Sequence, residues 1–174
     1  MSFLSQIDHA DASEETRAAY DEEERERGHV TNMKRTLLHS LPAFHAYMEW
    51  YTLRDTIVPV IGERAADVFA HTISTENDCL ICSTFFRRIL IDSGISPDAF
   101  EPTADEALLI EFGRAIVRHP NGVDAGLWWR LKARFSEPEL VNLVAFAGLM
   151  VATNLFNNVV AVELDHELQP YRKA

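Results

Sequence analysis

Apolar residues recur every three or four positions along most of the chain, and stretches that alternate with period two are few and short. The first spacing is typical of amphipathic helices, whereas alternation would indicate strands. Capping residues, prolines and glycines divide the pattern into seven or eight segments. The sequence therefore predicts one all-α domain of about seven or eight helices, without a repeat or a second domain boundary.

Local signals place the ends of these helices. Residue pairs typical of capping boxes occur at Asp11 with Glu14, at Thr103 with Glu106, and at Ser136 with Glu139. The predicted helices cover residues 11–27, 31–39, 42 to about 59, 63–75, 77–92, 103–118, 124–134 and 136–165. Within the single domain of residues 1–174, residues 1–29 form an N-terminal helical extension. Residues of about 55–120 form the core that carries the cysteines, and residues 136–165 form a long apolar helix.

The stretch from Leu140 to Val162 is apolar and free of formal charge. Its length alone is compatible with a membrane span. A helix that is hydrophobic almost all round is also what the core of a protein or an oligomer requires. We favour a helix in the core of a protein or an oligomer, because no other segment resembles this stretch and because it contains four asparagines. These are Asn142, Asn154, Asn157 and Asn158.

Composition limits the classes of partner. The formal net charge of −11 argues against nucleic acid or an anionic membrane surface. The acidic run DEEERER after Tyr20 is expected to be a solvated helix face. The N-terminal sequence MSFLSQIDHADASEE lacks the basic and apolar regions of a secretory signal, so we expect a cytoplasmic protein.

The chain has two cysteines, and both lie in the segment ENDCLICSTFFRRIL. We expect Cys79 in the first turn of a helix that starts at Asn77 or Asp78, where the unpaired N–H groups and the helix dipole favour a thiolate. Cys82 follows by nearly one turn and shares the same face. One sulfur can therefore attack an oxidant or a disulfide, and the other can resolve the product.

Two other interpretations of the pair remain open. Zinc takes four ligands, or three and water, and the chain offers no second CxxC motif. His71, eight residues before Cys79, or another subunit would have to supply further ligands. Alternatively, the cysteines are two small buried residues without chemistry, since free cysteine is often fully buried. We predict redox-active thiols, with no metal and no bound cofactor.

The residues around the cysteines resemble a known family. In STENDCLIC, the positions Ser74, Asn77, Cys79 and Cys82 match the pattern S-x-x-N-x-C-x-x-C. This pattern resembles the carboxymuconolactone decarboxylase and alkylhydroperoxidase D (AhpD-like) superfamily. Upstream, VTNMKRTLLHSLPAF is similar to the stretch that precedes this core in the peroxidase-related branch. The resemblance extends over most of the chain from about residue 30.

The resemblance implies an all-α homo-oligomer, a dimer, trimer or hexamer, that acts as an antioxidant alkylhydroperoxidase. In that role Cys82 attacks the hydroperoxide and Cys79 resolves it to a disulfide. Family members relay protons through a glutamate twelve residues before the first cysteine and a histidine four residues after the second. Here these positions hold Asp67 and Phe86. Asp67 is therefore a candidate relay residue, whereas Phe86 cannot carry a proton.

The loss of the histidine leaves other functions open. The pair could exchange with disulfides, with Cys79 as the attacker, or the chain could be a non-catalytic helical oligomer. His71 could replace the missing base if it points at the sulfurs. A lactone decarboxylase is a weaker alternative, because no residues here suggest that chemistry. The expected partners are a small hydroperoxide or disulfide, a thiol reductant and further copies of the chain, but neither nucleic acid nor membrane.

Overall fold

A computed structural model describes residues 2–173, and these residues form eight α-helices without a strand. The helices are α1 Glu14–Arg27, α2 Asn32–Leu37, α3 Leu41–Ile61, α4 Glu63–Glu76, α5 Leu80–Asp92, α6 Ala104–Arg118, α7 Ala125–Arg134 and α8 Glu137–Val160. Short 3₁₀ helices lie at His9–Asp11 and His166–Tyr171. The predicted all-α class and helix number are confirmed.

Side-chain caps begin most of these helices. Thr103 with Glu106, and Ser136 with Glu139, form the two predicted capping boxes at α6 and α8. The predicted box at Asp11 is wrong, since Ser13 caps α1 by accepting a hydrogen bond from the backbone N–H of Thr16 at 3.2 Å. The cap of α1 therefore lies two residues later than predicted, because Asp11 belongs to a 3₁₀ turn.

Helix α3 extends past Pro59, near which the sequence predicted its end. Pro59 lies inside the helix, two residues before its end at Ile61. Proline removes only its own N–H donor, and the remaining turn is short. The break comes at Gly62, whose φ of 85° is a left-handed conformation that glycine adopts without steric cost. This break turns the chain into α4.

Helix α4 lies at the centre of the fold and packs against α3, α5, α6 and α8. Phe69 on α4 stacks between Phe112 and Phe146, at centroid distances of 6.1 and 5.9 Å. Gly113 permits the close approach of α6, because a Cβ atom there would lie 3.2 Å from both Phe69 and Ile73. The aromatic core thus fixes α4, which leads into the cysteine motif.

The N-terminal helix carries a buried charge that the sequence did not indicate. Glu23 lies in the acidic run expected to be solvated, yet it is buried and forms an ion pair with the buried Lys34 of α2. The prediction for this position is wrong, because burial of the neighbouring Ala19 turns one face of α1 towards α2 and α3. The rest of the run, including Glu22 and Glu24, is exposed.

Helix α8 is long and apolar enough to cross a membrane, and 39% of its most apolar window is buried within the chain. Core positions such as Leu143, Phe146 and Met150 form its inner face. A second, exposed apolar stripe runs along the outer face; its large members are Val141, Val144, Leu155 and Val159. We call these four residues the α8 stripe. Assembly into an oligomer through it remains a prediction.

Candidate functional site

The turn between α4 and α5 sets the position of the cysteines. Asp78 adopts a φ of 50°, a left-handed conformation that aspartate tolerates better than most residues. The backbone N–H of Cys79 donates to the carbonyl of Ser74 at 3.0 Å. Cys79 is the N-cap of α5, and its sulfur accepts from the backbone N–H of Cys82 at 3.5 Å. The helix therefore starts after Cys79 rather than at Asn77 or Asp78.

The two sulfurs differ in their access to a cavity. Both cysteines are free thiols, with exposed fractions of 0% for Cys79 and 6% for Cys82. Of the two, Cys82 lines a cavity of about 230 Å³. Much of the remaining wall is aromatic or thioether: Met33, Tyr47, Met48, Trp50, Tyr51, Phe85, Phe86 and Met150. A molecule in this cavity would meet Cys82 first.

Asn157 of α8 brings a polar group to the buried sulfurs. Its Nδ2 donates to Cys82 Sγ at 3.2 Å and to the sulfur of Met33 at 3.4 Å, and lies 4.0 Å from Cys79 Sγ. An amide N–H next to sulfur stabilises the thiolate. We did not predict a role for Asn157 at the cysteines. The signal that could have identified it is an amide at a core position of an apolar helix.

The pKa values of the two thiols are shifted in opposite directions. The pKa of Cys79 is lowered, chiefly by a hydrogen bond from the Cys82 thiol and also by the Cys82 backbone N–H. The pKa of Cys82 is raised by donating that hydrogen bond and by burial. The first negative charge therefore resides on Cys79. Cys82 becomes a thiolate when its proton passes to Cys79.

Phe86, at the position where the resembled motif has a histidine, lies in the cavity wall. Its ring lies 5.9 Å from that of Trp50, and both residues line the cavity. The Trp50 Nε1 donor and the Asn157 Oδ1 acceptor are buried without a hydrogen-bond partner among residues 2–173. Such groups are costly unless something binds them. Two residues of this cavity wall thus each carry a buried polar atom without a partner among the described residues.

The other predicted site residues lie elsewhere. Asp67 is buried and lies 3.5 Å from Arg54, and burial raises the pKa of its carboxyl group. Burial and the charge of Arg87 lower the pKa of His71 to about 4. Neither Asp67 nor His71 lines the cavity, and neither perturbs the pKa of a cysteine. The structure brings the two cysteines together but leaves both candidate bases outside this cavity.

A cationic cluster borders the apolar part of the cavity. Lys34 Nζ donates to the hydroxyl of Tyr51 at 2.8 Å, while the guanidinium of Arg27 lies 4.0 Å from the centroid of that ring. Lys34, Tyr51 and Arg27 all line the cavity. The cavity therefore combines an apolar wall at Cys82 with a polar wall that offers hydrogen-bond donors.

No family model matches the chain, and no curated protein matches its sequence. The fold has clear relatives among solved structures. An alkylhydroperoxidase AhpD core, an uncharacterized peroxidase-related protein from Ralstonia eutropha JMP134, aligns with a TM-score of 0.74 at 18% identity, over 96% of this chain and 94% of that chain. The chain has the AhpD-like fold.

A second relative gives the same result. An uncharacterized peroxidase-related protein from Silicibacter sp. TM1040 aligns with a TM-score of 0.75 at 16% identity, over 98% of this chain and 96% of that chain. The resemblance to AhpD-like, peroxidase-related proteins that the cysteine motif suggested is thereby confirmed in the fold. At such identities the likeness establishes the AhpD-like fold, and the chemistry has to be argued from the residues of this chain.

Proposed function

We propose that this AhpD-like protein reduces organic hydroperoxides with Cys82 and Cys79. The observation that carries the proposal is the position of Cys82, which lines the cavity and accepts a hydrogen bond from Asn157 at 3.2 Å. A nucleophile that a substrate can reach and a donor that stabilises its charge are what thiol attack requires.

Cys79 supplies the base that Phe86 cannot supply. Its pKa is lowered, so it carries the first negative charge and accepts a hydrogen bond from the Cys82 thiol. Transfer of that proton makes Cys82 the thiolate, and Asn157 Nδ2 then stabilises the new charge. The cysteine pair thus carries out the activation for which other AhpD-like proteins use a histidine.

The reaction then has two steps. The Cys82 thiolate attacks the terminal oxygen of the hydroperoxide, the O–O bond breaks, and the leaving alkoxide takes the proton held by Cys79. This gives an alcohol, a Cys82 sulfenic acid and a Cys79 thiolate. Cys79 next attacks the Cys82 sulfur, expels hydroxide and forms the disulfide. An external dithiol must return both cysteines to thiols.

The unpartnered groups of the cavity fit a hydroperoxide. Asn157 Oδ1 is a free acceptor for the peroxide O–H, and Trp50 Nε1 is a free donor to a peroxide oxygen. The aromatic and thioether wall suits an apolar organic substituent better than water. These features favour an organic hydroperoxide over hydrogen peroxide.

Disulfide exchange is the second candidate, and the lowered pKa of Cys79 favours it. In exchange of the thioredoxin type, the more acidic first cysteine attacks the partner disulfide. Cys79 is fully buried, however, so the turn at Asp78 would have to open before it could react. The position of Cys82 at the cavity wall makes peroxide reduction the better-supported function.

The deciding experiment is oxidation of the reduced protein by stoichiometric cumene hydroperoxide, followed by thiol titration and intact mass. We expect rapid loss of both thiols and two hydrogens. Cys79→Ser lacks the proposed base and should react more slowly, retaining one oxygen as a Cys82 sulfenic acid that dimedone traps, and Cys82→Ser should not react.

Two results would contradict peroxide reduction. Persistence of both thiols for hours would show that the cysteines are inert towards the peroxide. In that case, rapid reaction with glutathione disulfide would favour exchange, and no reaction with either oxidant would favour the non-catalytic oligomer. The variant lacking both cysteines provides the blank for each oxidant.

A further inference from the structure

Three potential metal ligands meet away from the cysteines. His29 lies in the linker between α1 and α2, whereas Asp165 and Glu167 lie at the start of the C-terminal 3₁₀ helix. His29 Nε2 is 3.0 Å from Glu167 Oε1 and 3.8 Å from Asp165 Oδ1. The three ligand atoms lie within 4.8 Å of one another, and all three residues line the cavity that contains Cys82.

The buried carboxylate of this cluster is incompletely satisfied. The side chain of Asp165 is 3% exposed, and its Oδ1 accepts from the backbone N–H of Asn32 at 2.7 Å. Its Oδ2 is buried without a hydrogen-bond partner among the described residues. A buried carboxylate oxygen left in this state is costly, and a cation is one group that would satisfy it.

No lysine or arginine compensates this charge within the described chain. The ion-pair partner of both Asp165 and Glu167 is His29, whose side chain is 56% exposed. Two carboxylates therefore converge on one imidazole, with solvent open on one side. This differs from the buried Glu23–Lys34 pair, in which each charge faces an opposite charge.

We propose that His29, Asp165 and Glu167 bind a divalent transition-metal ion. One imidazole nitrogen and two carboxylate oxygens suit zinc, manganese or ferrous iron, with water in the open positions. The Asn32 N–H fixes the orientation of Asp165, as groups around metal ligands commonly do. No cysteine is among these ligands, although the three residues line the cavity that contains Cys82.

A bound ion would join two segments that are far apart in sequence. The α1–α2 linker would be tied through His29 to the C-terminal segment through Asp165 and Glu167. Both segments form part of the cavity wall. The ion would therefore stabilise the folded chain, because the ligands are brought together only on folding.

The test is titration of the reduced full chain with Co²⁺, followed by visible absorption. We expect a single Co²⁺ to bind with d–d bands and without a thiolate charge-transfer band. His29→Ala and Glu167→Gln should each weaken binding about tenfold or more. His9→Ala is the matched control, since His9 also pairs with an exposed carboxylate, Asp21 at 2.7 Å, but has no third ligand. It should bind Co²⁺ as the unaltered chain does.

Three outcomes would overturn the site: no binding, binding that survives both ligand variants, or a thiolate band that disappears with Cys82→Ser. Circular dichroism of each variant identifies a loss of fold. Thermal unfolding gives a second readout, because Zn²⁺ should raise the melting temperature of the unaltered chain and of His9→Ala but not of His29→Ala.

Discussion

Asn157 Nδ2 lies 3.2 Å from Cys82 Sγ, although the two residues are 75 positions apart in the chain. The contact joins the last long helix to the cysteine helix at the cavity wall. It places a hydrogen-bond donor on the sulfur that a substrate reaches. The side chain offers its second atom, Oδ1, to the same region without another partner.

Replacement of Asn157 should slow the oxidation of Cys82 while leaving its thiol in place. A hydrogen bond to a charged group is worth about 1.5–3 kcal/mol, so Asn157→Ala should slow oxidation of Cys82 by cumene hydroperoxide about tenfold or more. Stopped-flow rates across pH measure the effect, which should include a higher apparent pKa. Asn142→Ala makes the same change on α8 outside the cavity and should leave the rate unchanged. Equal rates for all three proteins would remove Asn157 from the mechanism.

Burial should decide how much the free energy of unfolding falls when either of two adjacent glutamates is replaced. Glu23→Ala leaves the charge of Lys34 buried and unpaired, and breaking such a pair costs about 3–5 kcal/mol. Glu22→Ala removes an exposed charge that pairs with Arg25, and should cost less than about 1 kcal/mol. Urea unfolding of both variants measures these free energies. Similar values for the two would contradict the buried ion pair.

His71 should make the fold sensitive to mild acid. Its folded pKa of about 4 lies below the ordinary histidine pKa of 6.5, because burial and the positive charges of Arg87 and Lys173 oppose protonation, despite the nearby Asp98. Between these pH values the unfolded chain binds more protons, so stability falls as pH decreases.

Melting temperatures between pH 4 and 7 test this dependence. His71→Gln should reduce the loss of stability over that range, whereas His45→Gln, at an exposed position of α3, should leave it unchanged. If the melting temperature of His71→Gln depends on pH as that of the unaltered chain does, His71 is not the responsible group.

We propose that the α8 stripe is an interface between copies of the chain. An exposed row of large apolar side chains along the uncharged part of α8, residues 140–160, is unfavourable in water. Leu155→Glu should therefore lower the mass measured by light scattering to that of a monomer. Ile91→Glu places the same charge on an exposed apolar position of α5 and should preserve the oligomer. The proposal would be contradicted if the unaltered chain is a monomer, or if it stays in solution only with detergent.

Much of the fold could be predicted because its signals are local. The caps at Thr103 and Ser136 and the left-handed glycine at Gly62 act within a few residues, so their effects can be recognised in the sequence. The burial of Glu23 could not be predicted in this way. It depends on Lys34 in another helix, and the spacing of charges in DEEERER gives no sign of that partner.

The candidate site was predictable only in part. The Cys79–Cys82 pair follows from one short motif, and the structure keeps the two residues one helical turn apart. Asn157 and the proposed metal ligands depend on contacts between segments that are far apart in the chain. Asp67 matched a family position, but its neighbour Arg54 lies on α3 and could not be inferred from that match. Its role as a relay residue stays a prediction.

Cys79 is the cap of a helix and, in the proposed reaction, also a redox sulfur. Its sulfur accepts the backbone N–H of Cys82, a position that oxygen-bearing side chains fill in most helices. Formation of the disulfide would remove the negative charge that holds this N–H. Oxidation and the order of the first turn of α5 are therefore coupled, and hydrogen exchange at the Cys82 amide would follow the redox state of the pair.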